Sequence, residues 1–336
     1  MNNNPVNIAI VGAGGLVGRT MLKVLEERNF PVANIKLLAS ARSAGTILTF
    51  KDKELIIEEI SDSSFEDVNI ALFSAGKDVS INYAPIAVAS KCVVIDNGSY
   101  WRMNEKVPLV VPEVNPEDAE RHTGIIANPN CSTIQLAVAL KPIYDNFGIN
   151  RLVVSTYQSI SGAGQKGLDK LNSELQNSDF IHGSGKHRIA FNTIFHEITE
   201  ESGNSVEEIK MMNELRKILH NEDLRISVTC VRLPILGGHG ESVNLVTEKH
   251  FELEDLRDVL RKFQGIILAD DPINETYPTV SASDGHDEVT VGRLRIDESV
   301  THGLNMWITA DNLRKGAATN AVQIAEIVQT KNLFNY

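Results

Sequence analysis

Cysteine is scarce in this chain, and neither a long apolar segment nor an excess of basic residues is present. The three cysteines are too few, and odd in number, for a disulfide framework, so a reducing cytoplasm is expected. No run approaches the roughly 18 apolar residues of a membrane helix. The formal net charge of -12 disfavours nucleic-acid phosphates as partners. No group of histidines and cysteines has zinc-ligand spacing, so no metal is predicted.

The apolar content is ample, because 42% of the 336 residues are hydrophobic, and the length suffices for two domains. The N-terminus lacks a basic start and runs directly into a glycine loop. It is therefore interpreted as the first strand of the fold and not as a signal peptide. The first third alternates strand and helix patterns, which indicates βαβ units and a parallel sheet. Strands are predicted at 7–11, 35–39, 70–74, 93–96 and 125–127, with a helix at 20–27.

The pattern changes near residue 131, where strands and helices become grouped instead of alternating. This grouping predicts an α+β domain with a mixed or antiparallel sheet. The final amphipathic helix, at 316–329, is expected to return to the first domain. Helices are predicted at 132–147, 206–220 and 253–263, and strands at 151–160, 225–233, 243–247, 290–296 and 304–310.

A glycine-rich loop, GAGGLVG at residues 12–18, follows the first strand and opens the first helix. Glycine allows positive φ in the turn and lets a pyrophosphate approach the backbone amides, while the helix start supplies N–H donors. The alternative is a tight strand-to-helix turn that binds nothing. The strand and helix around the loop favour a dinucleotide site. The predicted contacts are Gly12, Gly14, Gly15, Leu16, Val17 and Gly18.

The end of the second strand indicates which nicotinamide cofactor binds. An NAD site usually places an acidic residue there for the ribose 2′-OH. Residues 38–45 read LASARSAG, with no acid and with Arg42 between serines. A guanidinium suits a 2′-phosphate, so NADP is favoured over NAD. The alternative is a solvated surface arginine.

Cys131 has the sequence context of a reactive thiol. It follows Asn130 and directly precedes a predicted helix. A helix start favours the thiolate, and the same amides can face an oxyanion. Taken alone, the residue could equally be inert. Cys92 and Cys230 lie among apolar neighbours and are assigned to packing.

A nucleophilic cysteine needs an acid or base, and His239 is the strongest candidate. It stands among Gly237, Gly238 and Gly240, just past a predicted buried strand, where the backbone is bent and closely packed. Other histidines lie in polar or helical contexts typical of the surface. These are His182, His187, His196, His220 and His286.

Several motifs, taken together and in their order along the chain, give a specific resemblance to a known family. Segments 12–18, 38–45, 128–133, 155–164, 232–242 and 311–318 resemble the aspartate-β-semialdehyde dehydrogenase family, over essentially the whole chain. The resemblance implies reduction of L-aspartyl 4-phosphate to L-aspartate 4-semialdehyde with NADPH and release of phosphate, through a cysteine thioester. The reaction lies on the route to lysine, threonine and methionine. The implied protein is cytoplasmic and a homodimer or homotetramer, with no membrane or nucleic-acid partner.

The predicted fold class is therefore α/β, a Rossmann-type dinucleotide-binding domain plus an α+β catalytic and dimerisation domain. The first covers residues 1–130 and the second 131–312, and residues 313–336 form the returning C-terminal helix. The resemblance makes Cys131 the nucleophile, His239 the acid/base and Gln158 the group that orients the acyl chain. It implies substrate contacts by Arg102, Asn130, Glu207, Lys210 and Arg232, and cofactor contacts by Arg42, Ser43, Ser161, Gly162 and Asn312.

The substrate carries an amine, a carboxylate and a phosphate, which suits this set of side chains. Arg232 would pair with the carboxylate, Glu207 with the amine, and Arg102 and Lys210 with the phosphate. Arg102 and Lys210 could instead be plain surface charges, and Gln158 an ordinary solvent-facing residue. Arg232 is harder to dismiss, because an arginine in an apolar strand needs a partner.

The sequence departs from the family pattern at two positions and leaves rival functions open. Gly240 replaces a serine, and Thr319 stands where tryptophan is common. N-acetyl-γ-glutamyl-phosphate reductase is the nearest enzymatic rival, and its acylated substrate nitrogen needs no carboxylate at Glu207. A catalytically inactive homologue acting as a binding module is the non-enzymatic rival, and a glyceraldehyde 3-phosphate dehydrogenase is a third.

Overall fold

A computed structural model describes residues 4–176 and 188–335, so the predicted surface histidines His182 and His187 lie outside the described residues. The strands are β1 (Val6–Val11), β2 (Val32–Ala39), β3 (Ile47–Phe50), β4 (Lys53–Glu59), β5 (Ile70–Phe73), β6 (Val93–Asp96), β7 (Ile125–Ala127), β8 (Arg151–Gln158), β9 (Ile194–Phe195), β10 (Arg225–Arg232), β11 (His239–Val246), β12 (Ile266–Leu268), β13 (Val289–Asp297) and β14 (Gly303–Ala310). The helices are α1 (Leu16–Glu27), α2 (Lys77–Ala89), α3 (Cys131–Phe147), α4 (Gln165–Gln176), α5 (Val206–Ile218), α6 (Leu253–Lys262), the single turn α7 (Val280–Ser283) and α8 (Thr319–Thr330).

The chain divides into two compact units, Met1–Asn130 with Ala317–Tyr336, and Cys131–Gly316. The first unit contains a seven-stranded sheet in the order β3-β4-β2-β1-β5-β6-β7. All neighbouring pairs are parallel except the hairpin of β3 and β4 at the edge. Helix α8 packs against α1, and both bury apolar side chains against the central strands. The predicted parallel βαβ sheet is confirmed, and glycine-loop residues lie at the carboxyl end of its β1.

The second unit contains another seven-stranded sheet, in the order β12-β13-β14-β11-β8-β10-β9. The pairs β8–β10 and β12–β13 are parallel and the remaining pairs are antiparallel, so the predicted mixed sheet is confirmed. Helix α3 packs against strands of this sheet and against α5 and α6. This packing explains why most of α3 is buried.

The connection from β10 to β11 crosses the end of β8, which lies between them in the sheet. Only residues 233–238 make this crossing. Leu233 N–H donates to the Gln158 carbonyl at 2.8 Å, and Ile160 N–H donates to the Ile235 carbonyl at 2.9 Å. The crossing segment is therefore tied to the strand beneath it.

Several predicted boundaries differ from the observed ones. Helix α1 begins at Leu16, directly after the glycine loop, and not at residue 20. Strand β11 begins at His239 and not at residue 243, so His239 opens a strand. Strand β8 ends at Gln158, because a 3-10 turn follows at Ile160–Ala163. The last helix begins at Thr319, after a π-helical turn at Arg314–Ala318.

Among residues 4–176 and 188–335, no helix has the length and apolar content that crossing a bilayer requires.

Candidate active site

The glycine loop of the first unit borders a cavity of about 250 Å³. Gly12 has φ +87°, and a Cβ there would lie 2.4 Å from the Ser74 carbonyl oxygen, so only glycine fits. The cavity is also lined by Gly14, Gly15, Arg42 and Ser43. The exposed Arg42 and the partly exposed Ser43 therefore share one cavity with the loop.

Arg102 lies in the loop after β6 and is buried, so it is not a plain surface charge. Its Nη2 donates to the Asn97 carbonyl at 2.7 Å. Asp96, at the end of β6, braces this loop by accepting from Ser80 Oγ at 2.7 Å and from Gly98 N–H at 2.9 Å. Burial raises the pKa of Asp96, while these hydrogen bonds and Arg102 oppose that effect. Trp101 Nε1 donates to the same Ser80 hydroxyl at 2.9 Å.

In the second unit, Cys131 is the first residue of α3, so its sulfur lies at the positive end of a helix. Its Sγ lies 3.3 Å from Nε2 of His239. The thiol is partly exposed, whereas Cys92 and Cys230 are fully buried, as predicted. Burial raises the pKa of both Cys92 and Cys230, so those two thiols stay protonated. Cys131 alone combines access with a neighbouring imidazole.

The sheet register places three polar residues side by side. Gln158 at the end of β8 is opposite Arg232 of β10 on one side and opposite His239 of β11 on the other. Directly opposed residues project from the same face of a sheet. Three side chains distant in sequence therefore reach one end of one face.

Gln158 is buried and held in one orientation, so it is not a solvent-facing residue. Its Nε2 donates to Ser132 Oγ at 2.7 Å and to Glu207 Oε1 at 3.3 Å. Because a carboxylate can only accept hydrogen bonds, the NH2 end of the Gln158 side chain, and not its oxygen, must face Glu207. Lys210 Nζ lies 3.4 Å from Glu207 Oε2. Lys210 is partly buried in this ion pair and is not an isolated surface charge.

Helix α5 carries Glu207 and Lys210 and is anchored at its start. Ser205 Oγ accepts from Glu208 N–H at 3.3 Å, and Glu208 Oε2 accepts from Ser205 N–H at 2.6 Å, which is a capping box. Glu208 Oε1 also accepts from Cys230 N–H at 2.9 Å, which ties the helix to β10. Local sequence thus positions the carboxylate beside Gln158.

Arg232 is partly buried, and its Nη1 donates to the Ser159 carbonyl at 2.6 Å. Burial lowers the pKa of Arg232, and the nearby Cys131 and Glu207 oppose this effect. A Cβ at Gly162 would lie 3.1 Å from Arg232 Nη1 and 3.7 Å from the His239 ring, so both side chains lie close to this glycine. Cys131, His239, Arg232, Gln158 and Glu207 therefore form one cluster within the second unit.

Comparisons with known proteins identify the family of the chain. The semialdehyde dehydrogenase NAD binding domain family matches residues 7–122, and the semialdehyde dehydrogenase dimerisation domain family matches residues 140–315. The aspartate-semialdehyde dehydrogenase of Aquifex aeolicus is 52% identical over 97% of this chain and 98% of its own length. That of Bacillus subtilis is 48% identical over 98% of this chain and 99% of its own length.

The chain belongs to the aspartate-semialdehyde dehydrogenase family.

A solved aspartate-semialdehyde dehydrogenase supports the same assignment for the fold. The crystal structure of aspartate semialdehyde dehydrogenase II from Vibrio cholerae, complexed with ASA, is 45% identical and has a TM-score of 0.92. The match covers 97% of this chain and 98% of that one. The predicted fold class, a Rossmann-type domain plus a dimerisation domain, is confirmed, and so is the oxidoreductase assignment.

The imidazole ring of His239 is fully buried, and hydrogen bonds to its Nδ1 fix its orientation. The Gly238 carbonyl oxygen and the Ser159 backbone nitrogen each lie 3.0 Å from Nδ1. A proton on Nδ1 can be donated to Gly238, which leaves Nε2 a base. Without that proton, Nδ1 accepts from Ser159 N–H and Nε2 becomes a donor. Nδ1 therefore has a hydrogen-bond partner in both neutral tautomers of the ring.

Burial lowers the pKa of His239 to about 4, and Arg232 adds to the effect while Gly238 and Glu207 oppose it. Between pH 4 and 6.5 the unfolded chain binds a proton at this position and the folded chain does not. Stability is therefore lost as pH falls through this window, by on the order of 3 kcal/mol in total.

We expect a His239→Asn variant to lose this part of the pH dependence. The measurement is the free energy of urea unfolding at pH 4.5 and pH 7 for both proteins. The pH-dependent difference should shrink by about 2 kcal/mol in the variant. An unchanged difference would mean that His239 is not buried in its neutral form.

Ser161 and Asn312, predicted as cofactor contacts, are buried and bonded to each other and to the loop before His239. Asn312 Oδ1 accepts from Gly238 N–H at 2.9 Å and from Ser159 Oγ at 3.1 Å. These bonds hold Gly238 and Ser159, which contact the His239 ring, and the cofactor role of both residues stays a prediction.

Sequence reasoning placed His196 in a context typical of the surface, whereas the structure shows the residue partly buried. Its Nε2 is buried, and Glu207, Arg232 and Lys210 are close enough to influence its pKa. Local sequence could not place it there, because these neighbours come from α5 and β10. Ser132, which accepts from Gln158, and Ser159, which contacts His239, were also missed as site residues.

The departure from the family pattern at Gly240 has a structural reason. A Cβ at Gly240 would lie 2.5 Å from the Trp307 indole, so the tryptophan occupies the space that a side chain would need. Strand alternation directs Gly240 and Ser242 away from the face that carries His239. A cavity of about 560 Å³ opens on that other face, lined by Ser242, Met306 and Trp307 among others. This cavity is therefore not on the side of Cys131 and His239.

Thr319, the second departure from the family pattern, is fully buried.

Proposed function

We propose that this chain reduces L-aspartyl 4-phosphate to L-aspartate 4-semialdehyde through a thioester on Cys131, with NADPH as hydride donor and phosphate as leaving group. The observation that carries the proposal is the 3.3 Å contact between Cys131 Sγ at a helix start and buried His239 Nε2. A sulfur in that setting is a nucleophile with an acid/base beside it.

The cofactor proposal rests on the cavity of the first unit. The residues proposed to hold NADPH there are the glycine loop, Arg42 and Ser43, because Gly12 admits close approach and Arg42 suits the 2′-phosphate. Ser161, Gly162 and Asn312 are proposed contacts from the second unit. The cofactor supplies a hydride when bound.

The proposed substrate contacts match the charges of an aspartyl group. Arg232 is proposed for the α-carboxylate, and Glu207 for the α-amine, because Glu207 is a buried carboxylate. Gln158 orients the acyl chain from a fixed amide. Asn130, next to the nucleophile, is proposed at the oxyanion. Arg102 in the first unit and Lys210 in the second are each proposed as phosphate ligands.

The protein's own chemistry is a proton cycle between sulfur and imidazole. The His239 ring is neutral near pH 7, so Nε2 accepts the Cys131 thiol proton as the sulfur attacks the acyl phosphate. After reduction of the thioester, Nε2–H protonates the resulting oxyanion, which gives the thiohemiacetal. The same nitrogen takes that proton back as the aldehyde departs and the thiolate re-forms.

Glu207 favours this substrate over that of the nearest rival enzyme. An N-acetyl-γ-glutamyl substrate has no cationic amine, so a buried carboxylate within hydrogen-bond reach of Gln158 would face a neutral amide. Retention of the Cys131–His239 contact also argues against an inactive binding module.

The direct test measures the reverse reaction, the phosphate-dependent oxidation of aspartate semialdehyde by NADP. Aspartate semialdehyde should reduce NADP only when phosphate or arsenate is present, and absorbance at 340 nm follows the product. N-acetylglutamate 5-semialdehyde should give at least about 100-fold lower kcat/KM, the order expected for one unpaired buried charge. Equal rates without phosphate would contradict the proposal.

Arg42→Ala should raise KM for NADP by about 10- to 100-fold, the range for one charge-assisted hydrogen bond, with KM for NAD changed less than threefold. The matched control is Lys53→Ala, which removes another exposed cation of the same unit. An equal KM for NADP in Arg42→Ala and the unsubstituted protein would assign Arg42 to the solvated surface.

We also propose a homodimer or homotetramer, located in the cytoplasm. The sheet face that carries Trp307 supports oligomer formation, because the large apolar side chain of Tyr277, which lines the cavity beside Trp307, is exposed. Free thiols at all three cysteines support a reducing compartment. Sedimentation would give the number of subunits.

A further inference from the structure

His196 lies between the two elements that carry the proposed substrate ligands. It directly follows β9, in which Ile194 pairs with Arg232 and Phe195 with Val231. On its other side, the Glu197 carbonyl accepts from Val206 N–H at 2.8 Å, at the start of α5. The backbone is thus anchored on both sides, to the strand of Arg232 and to the helix of Glu207 and Lys210.

The imidazole of His196 has an unused polar atom. Nε2 is buried and has no hydrogen-bond partner among residues 4–176 and 188–335. A buried polar atom without a partner costs about 1–3 kcal/mol, so such atoms in native sites call for an explanation. Within the substrate cluster, the natural partner is a polar group that arrives with the ligand.

The surroundings indicate what kind of group this is. Burial lowers the pKa of His196, with Arg232 and Lys210 adding to the effect and Glu207 and Glu208 opposing it. The ring is therefore neutral near pH 7 and can donate one N–H. Glu207 already accepts from Gln158 and Lys210 and is assigned to the substrate amine, so its acceptor sites are committed to other donors. An anion paired with Arg232 would supply the missing acceptor.

We propose that His196 is a further substrate-binding residue, whose Nε2–H donates to the α-carboxylate that Arg232 also binds. This inference rests on the proposed function, since it assigns one more contact to the same substrate. It adds a neutral donor to a site otherwise built from charged groups. The ring thereby helps to select a carboxylate without adding positive charge beside the reacting sulfur.

The test compares His196→Ala, His196→Gln and the unsubstituted protein in phosphate-dependent NADP reduction. His196→Ala should raise KM for aspartate semialdehyde by about 10- to 50-fold, with kcat and KM for NADP changed less than threefold. Glutamine offers an N–H at a similar reach, so His196→Gln should restore KM to within about threefold. His286→Ala, which removes an exposed histidine of the same unit, is the matched control.

Truncated aldehydes identify the contacted group. With 4-oxobutanoate, which keeps the carboxylate and lacks the amine, His196→Ala should still lower kcat/KM by about 10-fold or more. With 3-aminopropanal, which lacks the carboxylate, the substitution should have no effect. The opposite pattern would overturn the assignment, and so would an equal loss with both aldehydes.

Failure of this inference can be told apart from failure of the proposed function. If the unsubstituted protein does not reduce NADP, the proposed reaction is wrong. Calorimetric binding of aspartate semialdehyde to Cys131→Ser still tests His196, because adding His196→Ala should then weaken binding by about 10-fold or more. Binding unchanged by His196→Ala would refute the contact.

Discussion

Replacing Cys131 with alanine should abolish phosphate-dependent NADP reduction, with kcat lowered by at least about 10,000-fold. The loss is large because the acyl group has no other site of attachment. The other two thiols are fully buried, and burial keeps them protonated. The assay is reduction of NADP by aspartate semialdehyde and phosphate, with enzyme raised to micromolar concentration so that a small residual rate is visible.

The control for Cys131 is a thiol that packs in the core. Cys92→Ala removes a buried sulfur of the first unit and should leave kcat within about threefold, although stability falls. Iodoacetamide at neutral pH should add one carbamidomethyl mass to the unsubstituted protein and none to Cys131→Ala. Turnover that survives in Cys131→Ala would rule out a covalent thioester.

Replacing His239 with asparagine should lower kcat by about 100- to 10,000-fold while the thioester still forms. The imidazole moves the proton, whereas the helix start and the fixed amide of Gln158 remain in place. Acylation is measured by intact mass after mixing the variant with aspartyl phosphate in the absence of NADPH. The acyl adduct should accumulate on Cys131.

His250→Ala is the matched control for His239, because it removes an exposed histidine of the same unit. Its kcat should stay within about twofold. If His239→Asn kept a normal kcat, the contact with Sγ would have no role in proton transfer. If it failed to acylate at all, proton acceptance by His239 would be indispensable for the attack by sulfur, and the helix start would not suffice to form the thiolate.

Elements with strong periodicity or distinctive ends were predictable from the sequence. Strand β1, the glycine loop and α1 form one such unit, and α3 another. The short or exposed elements were missed. The hairpin of β3 and β4 exposes much of its surface, β9 has only two residues, and α2 contains Pro85 in its interior. Patterns of apolar residues are weak in such segments, so tertiary contacts decide their structure.

The candidate site divides in the same way. Cys131 and His239 were predictable, because each has a distinctive local context in the chain. Their partners depend on contacts across the sheet and between elements. Gln158 meets Arg232 and His239 only through strand pairing, and His196 reaches the cluster through a two-residue strand. The roles assigned to the site residues stay predictions, whereas family and fold class are confirmed.

The crossing segment, residues 233–238, passes over the end of β8 and restricts how the length of this chain can vary. Arg232 and His239 stand at its two ends, on opposite sides of Gln158. One extra residue in the crossing segment could shift the register of β11 by one residue. The His239 side chain would then project from the sheet face that carries Trp307. Insertions should therefore be far better tolerated in the turn between β13 and β14 than at 233–238. The spacing between these two side chains is a length constraint that can be checked in any relative by counting residues.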